Sequence, residues 1–161
     1  MSKRLYERSS QTISVRDIRP DVLDVIEAHA TARMLGSVAS TATECVQTRS
    51  VSLKRPGLLA RLGGATTEPE HQTVAVLTPT TLIVATVGEQ RGITVLSTRL
   101  ADVDGIEQMN PAPVVDSSVH VQARWGSAEA SSYIVALGDD QAARAFLAAL
   151  RSAVTATKQA R

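Results

Sequence analysis

The chain has few of the residue types on which nucleic-acid binding, metal binding and disulfide formation depend. Among its 161 residues are one Trp, two Tyr and one Phe, too few for the aromatic stacking platforms of single-stranded nucleic-acid binders. The single cysteine, Cys45, cannot form an internal disulfide, and no pair of Cys or His residues has the spacing of a zinc site. The composition therefore predicts no cofactor, no metal and no nucleic-acid partner.

Excess charge and long apolar runs are also absent. The formal net charge is +1 because 17 Lys and Arg nearly balance 16 Asp and Glu, so no global field attracts the chain to nucleic acid. The longest apolar run, around Leu82 to Val87, is much shorter than a membrane span. Residues 1–16 are polar and have no apolar signal-peptide core. We expect a cytoplasmic protein, and any membrane contact that it makes should be peripheral, at the inner membrane.

Sequence motifs of common active sites are missing as well. The chain contains no Gly-x-Ser-x-Gly elbow, no phosphate-binding glycine-rich loop followed by Lys-Ser or Lys-Thr, and no His-Glu-x-x-His helix. The carboxylate pair Asp139-Asp140 stands at the start of a predicted helix, where it is typical of a cap. The sequence therefore predicts no enzyme activity and no catalytic residue.

The clearest positive signal runs from Thr73 to Met109. Four runs rich in Val, Ile, Leu and Thr are separated there by Thr-Pro-Thr-Thr, Gly-Glu-Gln-Arg-Gly and Leu-Ala-Asp-Val-Asp. This alternation of strand-forming residues with turn residues predicts an antiparallel meander. A second predicted hairpin follows, with Val119, Val121 and Trp125 on one face of its first strand.

Two amphipathic helices are predicted outside the strands. The first covers residues 17–36, with Asp17 as its cap, and its apolar stripe includes Val22, Val25, Ile26 and His29. We interpret residues 1–16 as a flexible arm. The second helix runs from Asp140 to Thr157. Its apolar stripe is flanked by cations that repeat every seven residues, namely Arg144, Arg151 and Lys158.

The local pattern resembles the bacterial pleckstrin-homology-like (PH-like) domains. A strand leads into Leu77-Thr78 and Leu82, and a later corner contains Leu100, Asp102 and Val103. The resemblance covers residues 40–157 and implies an α+β fold: a seven-stranded antiparallel barrel or sandwich capped by the C-terminal helix. The helix at 17–36 lies outside that minimal domain. The family implies binding of lipid headgroups, peptides or proteins rather than catalysis, and the fold does not choose among these.

Two functions follow as hypotheses. The first is an interaction or adaptor module that binds a protein partner or self-associates as a homo-oligomer through the first helix. Its candidate residues are Val22, Val25, Ile26 and His29. The second is a module that binds anionic lipid headgroups through a basic, leucine-containing segment at 54–64. The candidate residues for lipid or anion binding are Arg49, Lys54, Arg55, Leu58, Leu59 and Arg61.

Overall fold

The computed structural model describes residues 5–53, 69–109, 116–126 and 129–161 of the chain. The strands in these ranges are β1 Tyr6–Thr12, β2 Glu44–Ser52, β3 Glu70–Leu77, β4 Thr81–Gly88, β5 Gly92–Arg99, β6 Val103–Met109, β7 Ser118–Arg124 and β8 Ala130–Ala136. The helices are α1 Pro20–Ala32, the short α2 Val38–Thr41 and α3 Gln141–Gln159, with 3-10 turns at Val15–Asp17 and Leu100–Asp102. The predicted α+β class is confirmed.

The strands form two antiparallel sheets. One has five strands in the order β1-β2-β3-β4-β5, and the other has three in the order β6-β7-β8. The 3-10 turn Leu100–Asp102 is the corner at which the chain passes from the first sheet to the second. Within the described ranges no strand pairing joins the sheets, so of the two predicted forms, a barrel and a sandwich, the closed barrel is not formed. Closure would require strands of the two sheets to pair. Instead α3 packs against β1, β2 and the corner turn.

The main core lies between the two sheets and α3. It includes Leu82 from the first sheet, Val121 and Trp125 from the second, and Phe146 and Leu150 from the helix. The prediction that the C-terminal helix buries its apolar stripe in this core is confirmed. The helix spans Gln141–Gln159 rather than the predicted Asp140 to Thr157. It begins one residue later because Asp140 is its cap, and the Asp140 carboxylate accepts a hydrogen bond from Ala143 N at 3.1 Å.

A second core covers the opposite face of the five-stranded sheet. Val22 and Ile26 of α1 pack there with Val74, Val76 and Ile83. Strands β3 and β4 therefore have cores on both faces, which explains their nearly continuous burial. Sheets that are covered on both faces have apolar runs rather than strict alternation.

The first helix is shorter than predicted. It begins at Pro20, since the residue before a proline is disfavoured in helical conformation, and its cap position is Arg19 rather than Asp17. Asp17 instead closes a capping box with Ser14 on the preceding 3-10 turn. At the other end, Met34 has a φ of 55°, which ends the helical conformation.

Residues 6–12 form strand β1 rather than part of a flexible arm. This edge strand pairs antiparallel with β2, and its polar side chains alternate between half-buried and exposed positions. Asp116 accepts hydrogen bonds from Leu5 N and Tyr6 N at 2.8 and 2.9 Å. The arm prediction was wrong for these residues because a polar edge strand has no apolar face for sequence patterning to detect.

The middle of β1 is also joined to the start of α3. Ser10 N donates to the Asp140 carboxylate at 2.7 Å, and Gly138 N donates to the Ser10 hydroxyl at 2.9 Å. The same carboxylate caps α3, so Asp140 connects the first strand of the chain to the last helix.

Candidate functional site

The predicted lipid-binding segment at 54–64 lies outside the described residues. This applies to Lys54, Arg55, Leu58, Leu59 and Arg61, so the hypothesis built on them stays a prediction.

Arg49, the remaining lipid-binding candidate, is paired with a carboxylate of its own chain. It lies on β2 and donates two hydrogen bonds to Glu70 of β3, one of them at 3.0 Å from Nη2 to Oε2. The hydrogen bond from Arg49 lowers the pKa of Glu70. Because Glu70 already occupies the Arg49 guanidinium, an anionic ligand would have to displace that carboxylate.

The self-association candidates on α1 differ in their exposure to solvent. Val22 and Ile26 are buried in their own chain against the five-stranded sheet, with relative exposures of 2% and 0%, while Val25 is exposed. Burial within the chain removes the reason for expecting these two side chains to bind a second copy. The homo-oligomer stays a prediction, and the apolar stripe of α1 no longer supports it.

His29, the fourth of these candidates, is half-buried between α1 and β5. Its Nε2 is 2.8 Å from Ser97 Oγ, a hydrogen bond in which either group can donate. Burial lowers the pKa of His29, and the positive charge of Arg33 lowers it further. His71 lies buried on β3, edge-on to the Tyr6 ring, with the two ring centroids 5.0 Å apart.

A groove that the sequence hypotheses did not include lies between the start of β6 and the end of α3. Its volume is about 340 Å³, and Val103, Ile106 and Val154 provide the apolar part of its lining. Val103 and Val154 belong to the main core and Ile106 packs against it. The groove therefore has an apolar floor that is continuous with the packed interior.

Two cations from α3 line the same groove. Arg151 and Lys158 are both exposed, and their separation of two helical turns corresponds to roughly 10 Å along the axis. Asp104 is the acidic residue in the lining. Two cations facing one carboxylate make the groove electropositive on a chain whose formal net charge is only +1.

The strand that forms the other wall is an edge strand. β6 is the end member of the three-stranded sheet, and no backbone hydrogen bond joins it to a second neighbour within the described ranges. Its pairing with β7 is irregular between Val103 and Gly105. An edge strand offers unpaired backbone N–H and C=O groups to another extended chain.

Sequence reasoning had one signal for this groove, the seven-residue repeat of Arg144, Arg151 and Lys158. It interpreted the repeat as the flank of the helix's apolar stripe. The signal could not show that β6 lies beside the last two cations, because that neighbourhood depends on the sheet arrangement.

The described ranges offer little for metal or thiol chemistry. No group of three His, Cys, Asp or Glu residues that could hold a metal ion occurs in them. Burial raises the pKa of the Cys45 thiol to about 12, which keeps it in the weakly nucleophilic protonated form. Of the helices whose residues are described, none is both long and apolar enough to cross a membrane.

Comparison of the chain with protein-family models, with curated proteins and with solved structures finds no match. The PH-like resemblance therefore stays a prediction from the sequence motifs.

Proposed function

We propose that the chain is a non-enzymatic interaction module with a PH-like fold that binds an extended, acidic segment of a protein partner along β6. The observation that carries this proposal is the juxtaposition of an edge strand, an apolar floor and two exposed cations in one groove. The strand would pair with the partner's backbone, and alternate partner side chains would reach the floor.

The arrangement of the strands supports the PH-like assignment. With β1 set aside, the sheets have four and three strands and are followed by a C-terminal helix, as the resemblance implies. The matched motif residues also stand at turns. Thr78 Oγ1 accepts a hydrogen bond from Thr81 N at 3.0 Å, and Leu100 and Asp102 form the corner between the sheets.

An acidic partner is favoured by charge complementarity. Arg151 and Lys158 project beside the groove from the same helix face, so carboxylates spaced along an extended segment would be attracted to both. A basic segment would meet uncompensated like charge. This attraction would act mainly on the association rate and would weaken as salt is added.

The experiment measures binding of a fluorescent peptide of alternating Val and Glu to the intact chain by fluorescence anisotropy. We expect saturable binding that weakens with salt, and a peptide of alternating Val and Lys should not bind. Reversing the charges with Arg151→Glu and Lys158→Glu should each reduce affinity about tenfold. Arg144→Glu is the matched control, because it makes the same change on the same helix outside the groove.

Hydrogen exchange on the same complex tests strand pairing separately from charge. Amide groups of β6 should become protected when the peptide binds, because pairing of its unpaired edge supplies new acceptors. Equal weakening by Arg144→Glu, or no added protection in β6, would contradict the proposal.

A further inference from the structure

A second concentration of positive charge lies at the C-terminal end of α1. Three arginines border a cavity of about 290 Å³ there, namely Arg33 at the end of α1, Arg99 at the end of β5 and Arg124 at the end of β7. All three are exposed. The sequence hypotheses did not include any of them as a binding residue.

The guanidinium groups are not neutralised within the described part of the chain. The ion pairs found there join Arg19 to Asp21 and Arg49 to Glu70, and neither involves the three cavity arginines. Asp102 is the acidic residue in the cavity lining. Three guanidinium groups and one carboxylate leave a net positive lining, and the positive charge of Arg33 also acts on the neighbouring His29.

The cavity is held together by hydrogen bonds between its walls. Thr98 Oγ1 donates to the Arg124 carbonyl oxygen at 2.7 Å, and Gly126 N donates to the Ser97 carbonyl oxygen at 3.0 Å. These bonds fix the end of β7 against β5. The backbone walls of the cavity are therefore held together without a ligand, which reduces the ordering cost of binding.

Gly126 allows the Arg33 side chain to approach the backbone after β7 closely. It has a φ of +71°, and a Cβ at this position would stand 2.9 Å from Arg33 Nη1. A glycine here lets the Arg33 guanidinium lie directly over the backbone of the β7–β8 connection. Arg33 and Arg124 are thus brought to one cavity from distant parts of the chain.

We propose that this arginine cavity binds a phosphomonoester group. Guanidinium groups present planar pairs of donors that match phosphate oxygens, and a phosphomonoester near neutral pH carries about −1.5 to −2 charge, which fits the net lining charge. The floor is polar, with buried Thr81, Ser97 and Thr98, and this disfavours an apolar ligand.

The cavity lies at the opposite end of the β4–β5 hairpin from the Gly88–Gly92 turn. Thr81 of the cavity pairs with Arg99 at one end of the β4–β5 hairpin, whereas Gly88 pairs with Gly92 at the other end. His71, near the start of β3, pairs with Gly88 at that other end. The two ends of β4 are roughly 23 Å apart at about 3.3 Å per residue.

The test titrates the intact chain, labelled with nitrogen-15, with inorganic phosphate and with glycerol 3-phosphate. We expect saturable shifts of the Ser97 and Gly126 amide signals. Arg33→Gln and Arg124→Gln should each weaken binding about tenfold. Arg151→Gln, which removes the same charge in the β6 groove, should leave phosphate affinity unchanged.

The second part of the experiment measures binding to vesicles that contain phosphatidic acid, whose headgroup is a phosphomonoester. Saturable binding of the soluble compounds would assign the cavity to a free phosphorylated ligand. Binding to vesicles alone, lost in Arg33→Gln and Arg124→Gln, would assign it to a lipid headgroup. No saturable binding in either arm, or equal weakening by Arg151→Gln, would overturn the proposal.

Discussion

The imidazole of His29 and the hydroxyl of Ser97 are hydrogen-bonded at 2.8 Å although they are 68 positions apart in the chain. The bond joins α1 to the edge strand β5, at a point where Arg33 also contributes positive charge. A protonated imidazole would be both partly desolvated and close to that cation. The packing of α1 is therefore linked to the protonation state of one side chain.

We predict that the free energy of unfolding decreases as the pH falls below about 6.5, the ordinary pKa of histidine. The pKa of His29 is lowered in the native state by burial and by Arg33, so below that pH the unfolded chain takes up a proton that the native chain does not. Above that pH, the contribution of His29 to the free energy of unfolding is constant. Denaturant unfolding of the wild type and of His29→Gln at several pH values checks this, and the difference between the two proteins should change only on the acidic side. A constant difference would contradict the prediction.

We predict that α1 is stabilised by its own sheet, through Ile26 rather than Val25. Ile26 is fully buried whereas Val25 is 36% exposed. Ile26→Ala should lower the free energy of unfolding by about 2–5 kcal/mol, and Val25→Ala should change it by less than about 0.5 kcal/mol. Urea unfolding measures the free energy of unfolding of both variants, which differ from the wild type at adjacent residues of one helix. Equal effects would show that α1 is not packed as described.

We predict that Asp140 contributes more to stability than its neighbour Asp139. Asp140→Ala removes a helix cap, worth about 1 kcal/mol, and the acceptor of the Ser10 N–H group, worth about 1 kcal/mol more. Asp140→Asn keeps acceptor oxygen at the cap and should recover much of the loss. Asp139→Ala is the control, because Asp139 is exposed. Thermal unfolding that ranks Asp139→Ala as the more damaging change would refute the role given to Asp140.

The basic segment leads to a prediction drawn from the sequence alone. If Lys54, Arg55 and Arg61 bind anionic lipid, changing all three to Gln should abolish co-sedimentation with phosphatidylglycerol vesicles at low salt, since each cation near such a surface contributes about 1 kcal/mol. Arg49→Gln should have little effect because Glu70 already pairs with Arg49. Wild-type protein that stays in the supernatant at low salt would end the lipid hypothesis.

Features set by local chemistry could be predicted from the sequence. The Thr78–Thr81 turn depends on a side-chain hydrogen bond within four residues, and the start of α3 depends on the Asp140 cap. Both were located correctly. In contrast, β1 was missed. Its polar residues are stabilised by pairing with β2, and this pairing cannot be recognised from the residue pattern of β1 alone.

The candidate sites were harder to predict for a related reason. The amphipathic pattern of α1 correctly indicated a buried face, but it could not state that the covering surface was the chain's own sheet. The cavity arginines come from α1, β5 and β7, and each one in isolation resembles an ordinary exposed cation. Only the sheet arrangement places Arg33, Arg99 and Arg124 together.

The bond between Ser10 N and the Asp140 carboxylate spans 130 positions, and this has a consequence during synthesis on the ribosome. β2 can pair with β1 as soon as it follows β1 from the ribosome, but the Asp140 acceptor that ties β1 to α3 emerges only after all the other described strands. Until then the sheet face that α3 covers stays open to solvent and to other nascent chains. Contacts so distant in sequence slow folding, so we expect this face to be exposed to aggregation in the nascent chain until α3 has been synthesised.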